Sequence, residues 1–222
     1  MFEWTDQQIG GWVGMHLWPL FRIIAFLMAV PVFGTQLVPG RARLVLALLI
    51  TILVVPSLPA VPAVDPLSLS AVVISIEQVF IGVFMGFCVL MLFQLFIVSG
   101  QVMAMQMGLG FASMVDPTSG ITVTGLSQFY LMLISLLFLG MNGHLVMFEA
   151  LVESFAIIPV GGGFLSGDSW WLLAQRISWM FASGVMIALP AITTLLIINI
   201  SLGVMTRAAP QMNIFSLGFG LT

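Results

Sequence analysis

The sequence has very little charge. Charged residues make up 6% of its 222 positions and hydrophobic residues 61%, whereas an ordinary soluble domain is about 25% charged. So few charges cannot cover the surface of a soluble domain of this size. The composition therefore excludes a soluble globular protein and indicates a chain surrounded largely by lipid or by other apolar protein.

Lysine is absent, and the formal net charge is −3. Nucleic-acid binding is excluded because it needs a basic surface. The single cysteine, Cys88, cannot form an intrachain disulfide. Because Cys88 stands in an apolar run, we expect it to be a small buried hydrophobic residue.

The sequence also lacks the motifs of known catalytic and cofactor sites: Gly-x-Ser-x-Gly, a phosphate-binding Walker loop, His-Glu-x-x-His and Cys-x-x-Cys. His144 has no second histidine near it, and with Asn142 it follows Gly140, so we interpret it as a polar cap at a helix start. His16, beside Trp18, is interpreted as an interfacial residue. We expect no catalytic residue, no metal site and no cofactor.

Long apolar runs with few charges fill the chain. They cover residues 7–40, 44–64, 78–115, 117–148, 177–206 and 208–222. Each of the first five can supply the roughly 20 residues that one membrane crossing needs. The predicted fold class is therefore all-α, with about six apolar helical segments in integral-membrane or membrane-associated hairpins. The last segment is cut short at Thr222, past which we expect the natural chain to continue.

Proline and glycine divide these runs into segments. We predict loops at residues 33–43, 56–66, 108–125, 159–169 and 206–213. A helix over all 38 residues of 78–115 would be about 57 Å long, too long for one crossing, so the break near Gly108 is expected. If segments alternate in direction, Arg41, Arg43 and Arg207 share one side, which the positive-inside rule makes cytoplasmic.

Five charged residues lie inside apolar segments, where a charge is costly unless it is paired or faces a cavity. They are Arg22, Glu77, Glu149, Glu153 and Arg176. Glu149 and Glu153 share a helix face, and alternation brings Arg176 to a similar depth. A structural ion pair is the favoured interpretation, and a proton relay or substrate site is the alternative.

Two features favour close packing and adaptable surfaces. Pairs of glycines four residues apart, Gly10/Gly14 and Gly82/Gly86, would let helix backbones approach closely, although such spacing is common by chance. Methionines at 103, 105, 107 and 114 surround the predicted loop near residue 108, together with Gly108 and Gly110. Ordinary core filling is the simpler interpretation of these methionines, and a flexible, apolar functional loop is the other.

Several strings resemble the FliR family, the FliR/SpaR/YscT-like proteins of the type III export gate. They are QMGLGFASMVDPTSG, NGH with LVESFAIIPVGG, LPAITTLLIINISLGVMTRAAPQMNIFSLGFGLT, and LFRIIAFLMAVPVFG with VPGRAR. The resemblance extends over essentially the whole chain, and MGLGFASMVDP favours the flagellar branch over the virulence-secretion branch.

The resemblance implies one helical export-gate chain, with residues 1–165 similar to FliP and 166–222 similar to FliQ. It implies a non-enzymatic role in passing unfolded flagellar proteins, in a hetero-oligomer with FliP and FliQ and in contact with FlhB and FlhA. The implied location is the inner membrane, within the flagellar basal body. Helices of this family form hairpins within an assembly rather than a simple lipid-facing bundle.

The resemblance also implies two sites. A plug in the channel would include Met105, Met107, Gly108, Leu109, Gly110, Phe111, Met114, Val115, Asp116 and Pro117. The turn with Arg207, Pro210 and Gln211 would contact a partner on the cytoplasmic side. The alternative from another class is a secondary transporter or small-ion channel that uses Arg176, Glu149 and Glu153, but no convincing internal repeat supports it.

Overall fold

The computed structural model describes residues 6–35, 37–59, 61–62, 64–65, 68–109, 113–115, 122–163 and 167–208. In this part of the chain there are six α-helices, one turn of 3-10 helix (Val55–Ser57) and two short strands. The longer elements are α1 (Asp6–Ala29), α2 (Gly40–Val54), α3 (Leu69–Gln106), β1 (Ser113–Val115), β2 (Thr122–Thr124), α4 (Gly125–Gly140), α5 (Gly143–Ile157) and α6 (Gly167–Ala208). The all-α class with about six apolar helices is confirmed.

Four helices, α1, α2, α3 and α6, are long and apolar enough to cross a membrane. Helices α4 and α5 are long and apolar enough only when taken together, and they are bent by 70° relative to each other. The run at residues 117–148, predicted as one segment, is therefore divided between two helices. Asn142 separates them with a left-handed backbone at φ 58°, which an asparagine adopts more readily than most residues.

Helix α3 is central and runs parallel to α1. Gly82 of α3 lies against Ala25 of α1, and one turn further along both helices Gly86 lies against Ala29. Ser68 starts α3, since its hydroxyl accepts a hydrogen bond from the Ala71 N–H, as an N-cap residue should. The common direction of α1 and α3 is the one that alternating segments predict.

Helix α6 is also parallel to α3. Met180 of α6 packs on Leu95, and one turn later the Gly184 carbonyl accepts a hydrogen bond from the Ser99 hydroxyl at 2.8 Å. Helix α4 runs the other way: its first turn contacts α3 at Ile97, and its Phe138 ring lies 5.3 Å from that of Phe93. These directions again agree with alternation.

Two helix lengths correct the prediction. Helix α3 ends at Gln106, before Gly108, as expected, yet it still has 38 residues because it begins at Leu69 and includes the buried Glu77. Helix α6 has 42 residues and begins at Gly167, inside the predicted loop at 159–169. Asp and Ser, which follow at 168 and 169, are favourable in a first helical turn. At 1.5 Å per residue these helices are about 57 and 63 Å long.

The turn after α1 is closed by an arginine. Arg43 donates hydrogen bonds to the carbonyl oxygens of Phe33, Thr35 and Val38 at 3.0, 3.1 and 3.4 Å. Arg43, with Arg41, lies in the first turn of α2 rather than in the predicted loop. The loop is shorter than expected because the arginine side chain reaches back and satisfies its carbonyls.

A two-stranded antiparallel ladder follows α3, in the region predicted as a loop. Ser113 pairs with Thr124, Met114 with Val123 and Val115 with Thr122.

The main hydrophobic core lies between α1, α2 and α5. It consists of Ile23, Phe26, Leu27, Val30, Ala47, Val54, Met147, Leu151 and Phe155.

Candidate functional site

Helices α1 and α3 cross closely at Gly82 and Gly86. A β-carbon on Gly82 would overlap the Arg22 carbonyl oxygen, and one on Gly86 would come within 2.5 Å of the Ala29 β-carbon. The prediction that these glycines permit close backbone approach is confirmed. For Gly14, by contrast, the three nearest atoms belong to Trp18 of its own helix, so nothing supports the Gly10/Gly14 pair as a helix contact.

The close crossing surrounds Arg22, which has 0% of its surface exposed. Its guanidinium donates four hydrogen bonds. Nε donates to Gln78 Oε1 at 2.8 Å, Nη1 to the Ser154 carbonyl and hydroxyl oxygens at 3.1 and 3.2 Å, and Nη2 to the Ile158 carbonyl at 2.8 Å. One side chain of α1 thereby joins α3 and the end of α5.

The surroundings of Arg22 stabilise a buried cation. Its Cζ atom lies 4.1 Å from the centre of the Phe155 ring, in the geometry of a cation–π interaction. Glu77 of α3 adds electrostatic attraction. The fully buried Gln78 keeps its Oε1 on Arg22 while its Nε2 has no hydrogen-bond partner among the described residues. The site is therefore built to hold the guanidinium.

The remaining three predicted intramembrane charges do not converge on one another. Glu149, Glu153 and Arg176 are exposed in this chain. Within the described ranges no ion pair joins Arg176 to either glutamate. Arg176 lies on α6 near Cys88 of α3, whereas both glutamates lie on α5. Helix α6 packs on α3 rather than along α5, which separates the expected partners within this chain.

Two smaller expectations are also corrected. Cys88 is exposed rather than buried, because apolar surface is exposed along much of this chain. His144 makes no capping bond, since α5 has no side-chain cap and His144 Nδ1 is a buried atom without a partner among the described residues. The His16 ring lies against the Trp12 ring at a tilt of 38°, with ring centres 4.6 Å apart. The His16 Nδ1–H donates a hydrogen bond to the Trp12 carbonyl oxygen at 2.9 Å.

The predicted plug begins at the end of α3. Met105 and Leu109 are 58% and 44% exposed, and Met107 is half-buried at the helix end. Gly108 has φ 73°, a left-handed conformation that favours glycine. Met114 and Val115 lie in β1, while Gly110, Phe111, Asp116 and Pro117 lie outside the described residues.

The far end of this loop is anchored by buried polar contacts. Gln101 Oε1 of α3 accepts from the Thr124 N–H at 3.3 Å and from the Ser127 hydroxyl at 3.2 Å. The Ser127 hydroxyl also contacts the Ile97 carbonyl oxygen at 3.0 Å. A β-carbon on Gly100 would approach the Ser127 Cα to 2.7 Å. The end of β2 and the start of α4 are thus held firmly on α3.

The predicted partner-contact turn is only partly described. Arg207 is exposed in the last turn of α6, and Pro210 and Gln211 lie outside the described residues. The apolar span of α6 is only 6% buried.

The described residues contain no cluster of three or more His, Cys, Asp or Glu side chains that could hold a metal ion.

The sequence patterns did not single out the uncharged polar residues that complete these sites. Gln78, Gln101, Ser127 and Ser154 make the decisive hydrogen bonds, but each looks like a minor interruption of an apolar run. A signal was present, since a buried polar group in an apolar helix needs a partner. The sequence did not indicate which partner.

Fold and site together define a class: a polytopic all-α membrane protein whose helices are tied by buried polar contacts and whose outer surface is largely apolar. Sequence comparison then gives the family. Residues 13–222 match the model of Bacterial export proteins, family 1.

Relatives named Flagellar biosynthetic protein FliR match the chain along most of its length. The protein of Escherichia coli (strain K12) is 39% identical over 222 residues, 100% of this chain and 85% of that protein. The protein of Pectobacterium carotovorum subsp. carotovorum is 36% identical over 222 residues, again 100% of this chain and 85% of that protein. That of Aquifex aeolicus (strain VF5) is 33% identical over 202 residues, 90% of this chain and 78% of that protein. The chain belongs to the family Bacterial export proteins, family 1, and the FliR resemblance is confirmed.

Proposed function

We propose that this chain is a non-enzymatic component of the flagellar type III protein export gate and forms part of the channel for unfolded flagellar subunits. Its membership in a bacterial export family, with relatives named for flagellar biosynthesis along the whole chain, carries the proposal. The transporter alternative loses support because Arg176, Glu149 and Glu153 do not converge in the chain.

The exposed apolar surface supports a hetero-oligomer. Only 6% of the apolar span of α6 is buried inside the chain, and large apolar residues are exposed along α2, α4 and α6. We assign this surface to FliP and FliQ, with residues 1–165 as the FliP-like portion and 166–222 as the FliQ-like portion. FlhB and FlhA would contact the Arg207 end, in the bacterial inner membrane at the flagellar basal body.

The loop at residues 106–120 would serve as the plug of the channel. An idle channel wide enough for an unfolded chain would leak ions, and an apolar constriction opposes their passage by dewetting. The exposed side chains of Met105 and Leu109 and the left-handed Gly108 support this role. Methionine side chains can repack around different cargo, and the contacts of Gln101 would hold the loop at its far end.

Deletion of residues 110–116 tests the plug. Cells that carry the deletion should leak small ions through assembled gates while export of flagellar subunits is largely retained. The matched control is Met132→Ala, which shortens an exposed methionine of α4 outside the loop and should leave the membrane tight. An assembled deletion mutant with a tight membrane would contradict the plug.

A further inference from the structure

Helix α5 ends in a way that leaves its last carbonyl groups without the usual partners. The final four carbonyls of any α-helix have no N–H donor within the helix. Here the next residue after Ile158 is Pro159, which has no N–H to donate. The Ile158 N–H returns to the Ser154 carbonyl at 2.8 Å, but the proline that follows cannot continue this pattern, so the carbonyls beyond Ser154 need donors from elsewhere.

Arg22 of α1 supplies a donor to the Ile158 carbonyl and a second donor to the Ser154 carbonyl. Its Nη1 and Nη2 groups reach the carbonyl oxygens of Ser154 and Ile158, which lie one turn apart at the end of α5. A cation at a helix C-terminus is also favoured by the helix dipole. The planar guanidinium can serve both carbonyls at once because its N–H groups form a fixed fork.

The orientation of this fork is set by two other residues. Gln78 of α3 accepts from Nε at 2.8 Å, and the Phe155 ring lies against the guanidinium face. Gln78 therefore holds one edge of the guanidinium plane, and Phe155 holds one face. Because the guanidinium is planar, these two contacts set the directions of the Nη1 and Nη2 groups that donate to the end of α5.

The segment that leaves α5 lies directly on the other helices. Val160 packs on the cluster formed by Trp18, Ala71 and Ile74, and Val61, which precedes α3, packs on the same cluster. Gly161, at φ 81°, would bring a β-carbon to within 3.2 Å of Pro62. The position at which α5 ends therefore determines how the following residues, Val160 and Gly161, lie against the other elements.

We propose that Arg22 is a positioning residue: it caps the end of α5 from α1 and so fixes the segment Ile158–Gly163 against the loop that contains Val61 and Pro62. This role differs from an ion pair or a proton relay, because two of the four hydrogen bonds of Arg22 go to backbone carbonyls and the other two to an amide and a hydroxyl oxygen. It concerns the internal geometry of the chain and does not depend on the plug.

Thiol crosslinking in native membranes tests the proposal. Cys88 is first replaced by Ala, and Val61→Cys with Val160→Cys reports the position of the segment after α5 through a short bifunctional thiol reagent. Met91→Cys with Met180→Cys, which pack together between α3 and α6, form the control pair. The full chain is expressed with its normal partners in both cases.

In Arg22→Met, which keeps bulk but removes all donors, the 61–160 crosslink should fall several-fold while the 91–180 crosslink is unchanged. Arg22→Lys keeps the charge but not the fork, so it should restore only part of the 61–160 yield. An unchanged 61–160 yield in Arg22→Met would overturn the proposal. Equal loss at both pairs would overturn it too, since Arg22 would then support the whole fold and not the end of α5.

Discussion

Gly86 of α3 lies against Ala29 of α1, so that a β-carbon at residue 86 would stand 2.5 Å from the β-carbon of Ala29 and 2.9 Å from the carbonyl oxygen of Phe26. Atoms cannot approach so closely, and the helices would have to separate. Separation would disturb the neighbouring crossing at Gly82 and, with it, the site of Arg22.

Gly86→Ala should therefore destabilise the protein, by about 1–3 kcal/mol, the usual penalty for overpacking. The control is Gly203→Ala on α6, where a β-carbon meets nothing within 4 Å; helix propensity makes that change favourable by up to about 1 kcal/mol. Thermal unfolding of the purified assembly measures both. Equal stability of the two variants would contradict the close crossing.

The anchor at the start of α4 gives a second prediction. Ser127→Ala should cost about 1–3 kcal/mol, because it removes a buried hydroxyl that contacts Ile97, Gln101 and Thr124 and leaves those groups short of a partner. Ser135→Ala on the same helix is the control, since Ser135 bonds to the Leu131 carbonyl of its own helix. Limited proteolysis at the loop after α3 should increase only in Ser127→Ala.

A third prediction concerns Gly108. Gly108→Val should strain the left-handed backbone by about 1–2 kcal/mol, although the space around the residue is open. Gly108→Asn should be milder, because asparagine tolerates this conformation. The measurement is the thermal stability of each variant in the assembly, and a valine variant as stable as the asparagine variant would show that the conformation is not required.

The charges on α5 and α6 give a fourth prediction. Arg176→Gln and Glu153→Gln should have additive effects on the yield of assembled gate, to within about 0.5 kcal/mol when converted to free energy, as expected for residues without contact. A double-mutant cycle measures this. A larger coupling energy would mean that partner subunits bring the two charges together.

A fifth prediction concerns the chain by itself. Expressed without FliP and FliQ, it should aggregate in detergent, because most of the α6 span is exposed apolar surface and large exposed apolar surfaces favour association. Size-exclusion chromatography of the chain alone and of the co-expressed set provides the comparison. A monodisperse monomer with cooperative thermal unfolding would contradict the proposed assembly.

The sequence by itself determined the class of fold. A chain with so few charges must satisfy its backbone internally, so apolar runs become helices, and the glycine–proline breaks near residues 108 and 160 correctly separated them. The Gly82/Gly86 spacing correctly indicated a close helix crossing, since the absence of a side chain is a local property that can be seen in the sequence.

Only the tertiary structure decided which helices meet and therefore which polar groups become partners. Arg22 looked like one of five equivalent intramembrane charges, yet it alone among them is fully buried at 0% exposure, because the Gly82 crossing and the end of α5 enclose it. Arg176 and Glu153 seemed close in depth but lie on helices with different neighbours. Depth follows from counting residues along one helix, whereas contact depends on the rotation and packing of two helices, which the order of residues does not fix.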